Sequence, residues 1–203
     1  MDAELVSIAS DIAIGVSALI VAGVAFFGVR TWRKELTGKA KFDIARNVLL
    51  LGLKLKADFE LARNPFTYST EYAGRSRQEN EPSNISQVLD EWYARSNRLK
   101  PLQEDLVKIQ EACWEAEILV GEDVSKRVSE AVGVYIHSYA DLSAAIYSHF
   151  EVRRETSASA PYKDQNWLRE LHKTIYSGTK DDFSKQIEEA TNSLKTALQA
   201  YVK

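Results

Sequence analysis

Eighteen consecutive residues without a charge, Ile12 to Val29, constrain this chain more than any other feature. The apolar run extends back to Leu5 with Asp11 as its only interruption. As a helix, such a stretch spans about 27 Å, close to the thickness of a bilayer hydrocarbon core. A 203-residue chain has no interior large enough to hide it, so the spacing predicts one transmembrane helix and the lipid bilayer as a partner. Asp2 and Glu4 precede it without a basic residue, whereas Arg30, Arg33, Lys34, Lys39, Lys41 and Arg46 follow. The positive-inside rule then puts the N-terminus outside and the rest in the cytoplasm, anchored in the inner membrane by one pass. A signal peptide fits less well, because the basic n-region is missing and the apolar run is too long. Trp32 stands one turn past the span, with Arg30, Arg33 and Lys34 in reach of headgroups.

Residues 1–29 thus form the short outer terminus and span, and 30–203 a cytoplasmic domain whose bundle begins near residue 40. Asp2, Glu4 and Asp11 account for the whole net charge of -3, so the remainder is formally neutral and carries no global nucleic-acid-binding charge. Cys113 is the sole cysteine, which excludes an internal disulfide and suits a reducing compartment. Nine glycines and four prolines among many long polar helix formers predict an all-α fold.

Along the chain, Gly38 marks the expected bend between membrane and soluble helix. Phe42, Ala45, Leu49, Gly52 or Leu53, Lys56 and Phe59 define one face of the next segment, which Pro65 ends. Residues 64–83 read as a long polar loop. Ser83-Asn84 caps a second helix whose apolar positions run from Ile85 through Trp92, Leu102, Leu106 and Cys113 to Val120. The phase survives Pro101, so this is one long helix kinked near Leu99 rather than two. Gly121 closes it. A third helix starts at Glu122 or Asp123 and presents Val128, Tyr135, Leu142 and Ile146. Residues 156–163 form a loop, a helix covers about 164–176, and Ser177-Gly178 interrupts it. Thr179 and Asp182 resemble a capping box for the last helix, which buries Phe183, Ile187, Leu194 and Tyr201. About four helices with short links pack most economically as an antiparallel bundle.

Inside the span, Asp11, Gly15, Ala18, Ala22 and Ala25 follow spacings of 4, 3, 4 and 3, a heptad seam suited to close helix packing or to a pore lining. Eight of the eighteen residues are Gly, Ala or Ser, so the seam alone is weak. Asp11 is sharper: a carboxylate at this depth faces protein, water or the headgroups. It equally suits the first turn of the helix at headgroup level.

Catalytic and metal chemistry find little support. His137, His149 and His172 lack an HExxH or paired ExxH setting, Cys113 falls on an apolar face, and no Walker A or GxGxxG loop occurs. The expectation is a non-enzyme without a cofactor. What remains is basic residues interleaved with aromatics, the combination that stacks bases and pairs phosphates. Three groups qualify. Tyr68 and Tyr72 accompany Arg75 and Arg77. Trp92 and Tyr93 accompany Arg95, Arg98 and Lys100. His149 and Trp167 accompany Arg153, Arg154, Arg169, His172 and Lys173. The simpler reading is that Trp92 and Trp167 belong to the core and the cations to the surface.

The segment Trp32-Arg33-Lys34-Glu35-Leu36-Thr37-Gly38-Lys39-Ala40, followed by Ala45-Arg46 and Arg63-Asn64-Pro65-Phe66, resembles small bacterial membrane proteins with one N-terminal span and a cytoplasmic helical domain. The layout is also similar to the channel-forming effector of the Hailong antiviral system. That resemblance implies a homo-oligomeric ion channel in antiviral defence, gated by a nucleotide or DNA-oligomer ligand. It carries over no binding residue. A membrane-tethered protein-interaction module without pore activity is the alternative.

Overall fold

The computed structural model describes the backbone of residues 2–158, 165–176 and 181–202, and the side chains of 15–155, 166–176 and 181–202. Those residues are helical with no strand: α1 (Asp2–Ala62), α2 (Ser69–Tyr72), α3 (Ser83–Leu119), α4 (Glu122–Ala158), α5 (Gln165–Ile175) and α6 (Asp182–Leu198). The chain divides into two compact units, 1–43 and 44–203.

In the first unit, α1 is long and apolar enough to cross a membrane, and none of its apolar window is buried within the chain. Apolar side chains point outward on every side, among them Leu19, Val24, Phe27 and Trp32. A helix apolar all round needs an apolar surrounding. α1 continues through Gly38 without a break. The Thr37 hydroxyl donates back to the Arg33 carbonyl at 2.9 Å, so even this polar residue joins the helical ladder. Phe42, assigned above to a buried face, is exposed.

The second unit is held by apolar stripes at helical spacing. From α1 come Ile44, Val48, Leu55 and Phe59, from α3 Leu102, Leu106 and Ile109, from α4 Val128, Tyr135, Leu142 and Ile146, and from α6 Ile187, Leu194 and Leu198. Burying each such side chain stabilises by about 1.5–3 kcal/mol. At the position left open between Gly52 and Leu53, the core takes the glycine. A Cβ there would lie 2.7 Å from Leu194 Cδ1 and 3.5 Å from the Tyr135 hydroxyl, so α1 and α6 approach across it. Contact partners fix the helix directions. Cys113 meets Ser129 near the α3–α4 link, whereas Trp92 meets Phe150 at the far ends, so these two helices run oppositely. Lys56 pairs with Glu188, and Arg63 with Asp181, so α1 and α6 also run oppositely.

Pro101 lies inside α3 without ending it. Buried residues continue in phase from Ala94 through Leu102 to Ile109, and that packing outweighs one missing donor. Several element ends differ from expectation. The N-cap of α3 is Pro82, whose carbonyl accepts from Ser86 N–H at 2.8 Å; Ser83 is already helical. Gly121 does follow the Val120 cap, at the position expected to close α3, and its carbonyl starts α4 by accepting from Val124 and Ser125. Asp181, not a Thr179–Asp182 box, caps α6: its carboxylate accepts from Ser184 N–H at 2.8 Å and is held by Arg63. Thr179 and the Ser177-Gly178 break lie outside the described residues, as does most of the 156–163 loop, although α4 already extends to Ala158. Residues 64–83 are not one open loop, since α2 interrupts them and Arg75 pins their second half.

Candidate functional site

Along α3, residues 88, 91, 92, 95 and 98 recur at spacings that keep them within one broad face. Opposite stand His149, Phe150 and Arg153 of α4, and His172 of α5 with Tyr176 just beyond it. Glu91 is the centre. One carboxylate oxygen accepts from Arg95 Nε at 3.3 Å and from the Tyr176 hydroxyl at 3.3 Å. The other accepts from Arg153 Nη1. Burial works to raise Glu91, yet the Arg153 and Arg95 charges outweigh it and hold the carboxyl below its ordinary range.

Arg95 is 3 % exposed, with its guanidinium carbon 4.6 Å from the Tyr176 ring centre. Its two terminal nitrogens are buried without a hydrogen-bond partner among the described residues. A buried unsatisfied donor costs on the order of 1–3 kcal/mol, more when charged, so this one calls for an acceptor. The adjoining cavity of about 10 Å³ is bounded by Glu91, Trp92, Arg95, His149, Phe150 and Arg153, and is the size of one water. Trp92 roofs it by stacking on Phe150 at 4.5 Å, and is half-buried rather than in the core. His149 and His172 share an Nε2–Nε2 hydrogen bond of 3.1 Å, which needs one ring to donate and the other to accept. Burial pushes His149 down to about 4 and keeps it neutral at pH 7.

Beside this cluster lies an open cleft of about 540 Å³, lined by Tyr72, Arg77, Glu81, Ser86, Asp90 and Glu91 among others. Glu91 borders both spaces. Arg75 braces the cleft wall, donating to Asp90 at 2.6 Å, to Glu81 at 2.9 and 2.5 Å, and to Ser86. The bonded guanidinium holds Glu81 down at about 2.

Two of the three basic–aromatic groups thus converge, bringing Trp92 and Arg95 against His149, Arg153 and His172. Other residues singled out with them are engaged elsewhere. Arg98 is buried and donates to the Leu61, Asn64 and Phe66 carbonyls at the end of α1, and to Glu71. It closes off a helix end and is not available to a ligand. Arg75 is likewise committed, and Arg77 pairs with Asp90 at 2.7 Å. Arg154 bonds Glu151, Lys173 bonds Glu170, and Arg169 is exposed. His137 points to solvent and bonds the Gly133 carbonyl, and Cys113 is buried against Ser129. Gly15, Ala18, Ala22 and Ala25 are exposed along α1, while the Asp11 side chain lies outside the described ones. Glu91, Tyr176 and Arg63 escaped the sequence reading. For Glu91 a signal existed: its i, i+4 spacing to Arg95.

Two guanidinium groups, Arg95 and Arg153, face the one carboxylate of Glu91, and the Arg153 side chain is about a third exposed whereas Arg95 is buried. Comparison with protein-family models, curated proteins and solved structures returns no match to this chain.

Proposed function

We propose that the chain is a membrane effector anchored by α1, whose spans assemble into an ion-conducting pore and whose helical domain senses an anionic nucleotide or DNA-oligomer. In this reading residues 44–203 form an antiparallel bundle in the cytoplasm, and the site is the Glu91–Arg95–Arg153 cluster. The observation that carries the sensing half is the buried Arg95 guanidinium with two unpartnered nitrogens beside an aromatic pair. A phosphate group would compete with Glu91 for Arg153 and Arg95, and Trp92 would offer a face for a base. The pore half is supported by a helix apolar on all sides, flanked by cations after the span and acids before it. One span cannot enclose a channel, so the reading requires a homo-oligomer.

Titrating the full chain in nanodiscs with a panel of nucleotides and short DNA, read by Trp fluorescence and bilayer conductance, tests both halves. Binding is expected to weaken with salt and to fall at least about tenfold in Arg95→Met. No binding across the panel overturns the sensor, and no conductance from a verified oligomer overturns the pore.

A tethered interaction module is the second reading, and one observation favours it. Val107, Trp114 and Ile118 are 55 %, 59 % and 84 % exposed along the side of α3 that faces away from the core. Such a stripe suits a helical partner. A monomer by native mass in detergent would favour this module.

A further inference from the structure

We infer that the outward face of α1 in the helical domain, centred on Leu50, Leu53 and Ala57, is a parallel interface to a second copy of this chain. Ile44, Val48, Leu55 and Phe59 commit the opposite side of α1 to the core. Leu50 and Leu53 remain 50 % and 43 % exposed, Ala57 is exposed, and Leu61, one turn on, is 51 % exposed. Leu50, Leu53 and Ala57 follow the 3, 4 alternation of a coiled-coil seam, which scattered surface leucines do not.

Two further observations choose the occupant. Counting back from Leu50 in the sequence by the same alternation reaches Arg46, Asp43 and Lys39, then Leu36, Trp32 and Val29, and then the seam of Ala25, Ala22, Ala18 and Gly15. The heptad register read in the sequence thus runs from Gly15 to Ala57. The charged positions in that register alternate in sign. Lys39, Asp43 and Arg46 are all exposed, and parallel copies in register place each Asp43 layer between two cationic layers about 5 Å away. Copies anchored by the same span share one direction, so the parallel arrangement costs no reorientation. This part rests on the single-span reading proposed above.

The test uses the full chain in nanodiscs, with native Cys113 left in place because it is buried. Under mild oxidation Leu53→Cys is expected to form a disulfide dimer through most of the population, and Ile118→Cys to form little. Asp43→Lys in the Leu53→Cys background should slow crosslinking at least tenfold, and adding Lys39→Asp with Arg46→Asp should restore it. Unchanged circular dichroism melting certifies that these exposed substitutions leave the fold intact. No Leu53→Cys dimer, equal crosslinking by Ile118→Cys, or no rescue by the charge swap overturns the interface. Dimers through Ala22→Cys without dimers through Leu53→Cys overturn it while leaving an oligomer of spans. Dimers through Leu53→Cys without conductance uphold it and overturn the pore.

Discussion

Two buried arginines in the helical domain behave in opposite ways. Arg63, 1 % exposed, spends its whole guanidinium: Nε donates to the Thr174 carbonyl, Nη1 to Asp181 and Ser184, and Nη2 to the Lys173 and Tyr176 carbonyls, with Phe183 against its face at 4.2 Å. It satisfies carbonyls at the end of α5 while holding the carboxylate that caps α6, so one side chain joins three helix ends. Arg95, 3 % exposed and one helix away, keeps one hydrogen bond from Nε and two bare nitrogens. The same residue type at the same depth is a joint in one place and an unfulfilled donor in the other. A fold keeps a poorly satisfied buried charge only where other packing carries the local stability, and such places are where function is sought.

Removing the joint should have the largest effect. Arg63→Met is expected to cost about 3–5 kcal/mol, because it orphans Asp181 and several carbonyls together. Urea unfolding with an unchanged m-value measures it, and a loss under about 1 kcal/mol would place Arg63 with Arg95.

Acidification should reach the cluster. His149 sits near 4 in the fold and near 6.5 when unfolded, so the unfolded chain binds the extra proton between those values. Stability contributed by neutral His149 is complete above about pH 7 and declines as pH falls, by up to about 3 kcal/mol near pH 4. Glu91, held low, adds its own loss as pH falls below the ordinary carboxyl value of 4.5. Chemical denaturation at a series of pH values should show this slope, and His149→Gln should flatten it.

A smaller change is expected at Arg95 itself. Arg95→Met keeps the volume and removes unpartnered donors, while Glu91 retains Arg153 and Tyr176. Stability should stay within about 1 kcal/mol of the parent as ligand response is lost. A loss matching Arg63→Met would show that Arg95 is structural and would dissolve the contrast.

Least of all should come from Arg154→Ala, since this exposed residue bonds Glu151 one turn back on the same helix and lies 5.9 Å from the Phe150 ring centre. Its effect on melting should remain within about 0.5 kcal/mol.

The sequence alone determined what depends on neighbours along one helix. The all-α class, the single apolar span-length helix, the unbroken α3 across Pro101 and the core phase of Leu102, Leu106 and Ile109 all follow from periodicity over long windows. Helix ends were less legible. Pro82 and Asp181 take the cap roles expected of Ser83 and Thr179, because a cap is chosen among near-equal local options by whatever packs on it. Only the tertiary structure decided which cations are spent. Arg95 and Arg98 are one turn apart and read alike in the sequence, yet Arg98 meets the end of α1 and Arg95 meets Glu91 and an aromatic face. That difference comes from residues 34 positions away in one case and 81 in the other, Asn64 and Tyr176. Hydrogen-bond satisfaction of a buried charge is a property of converging elements, and local spacing does not encode it.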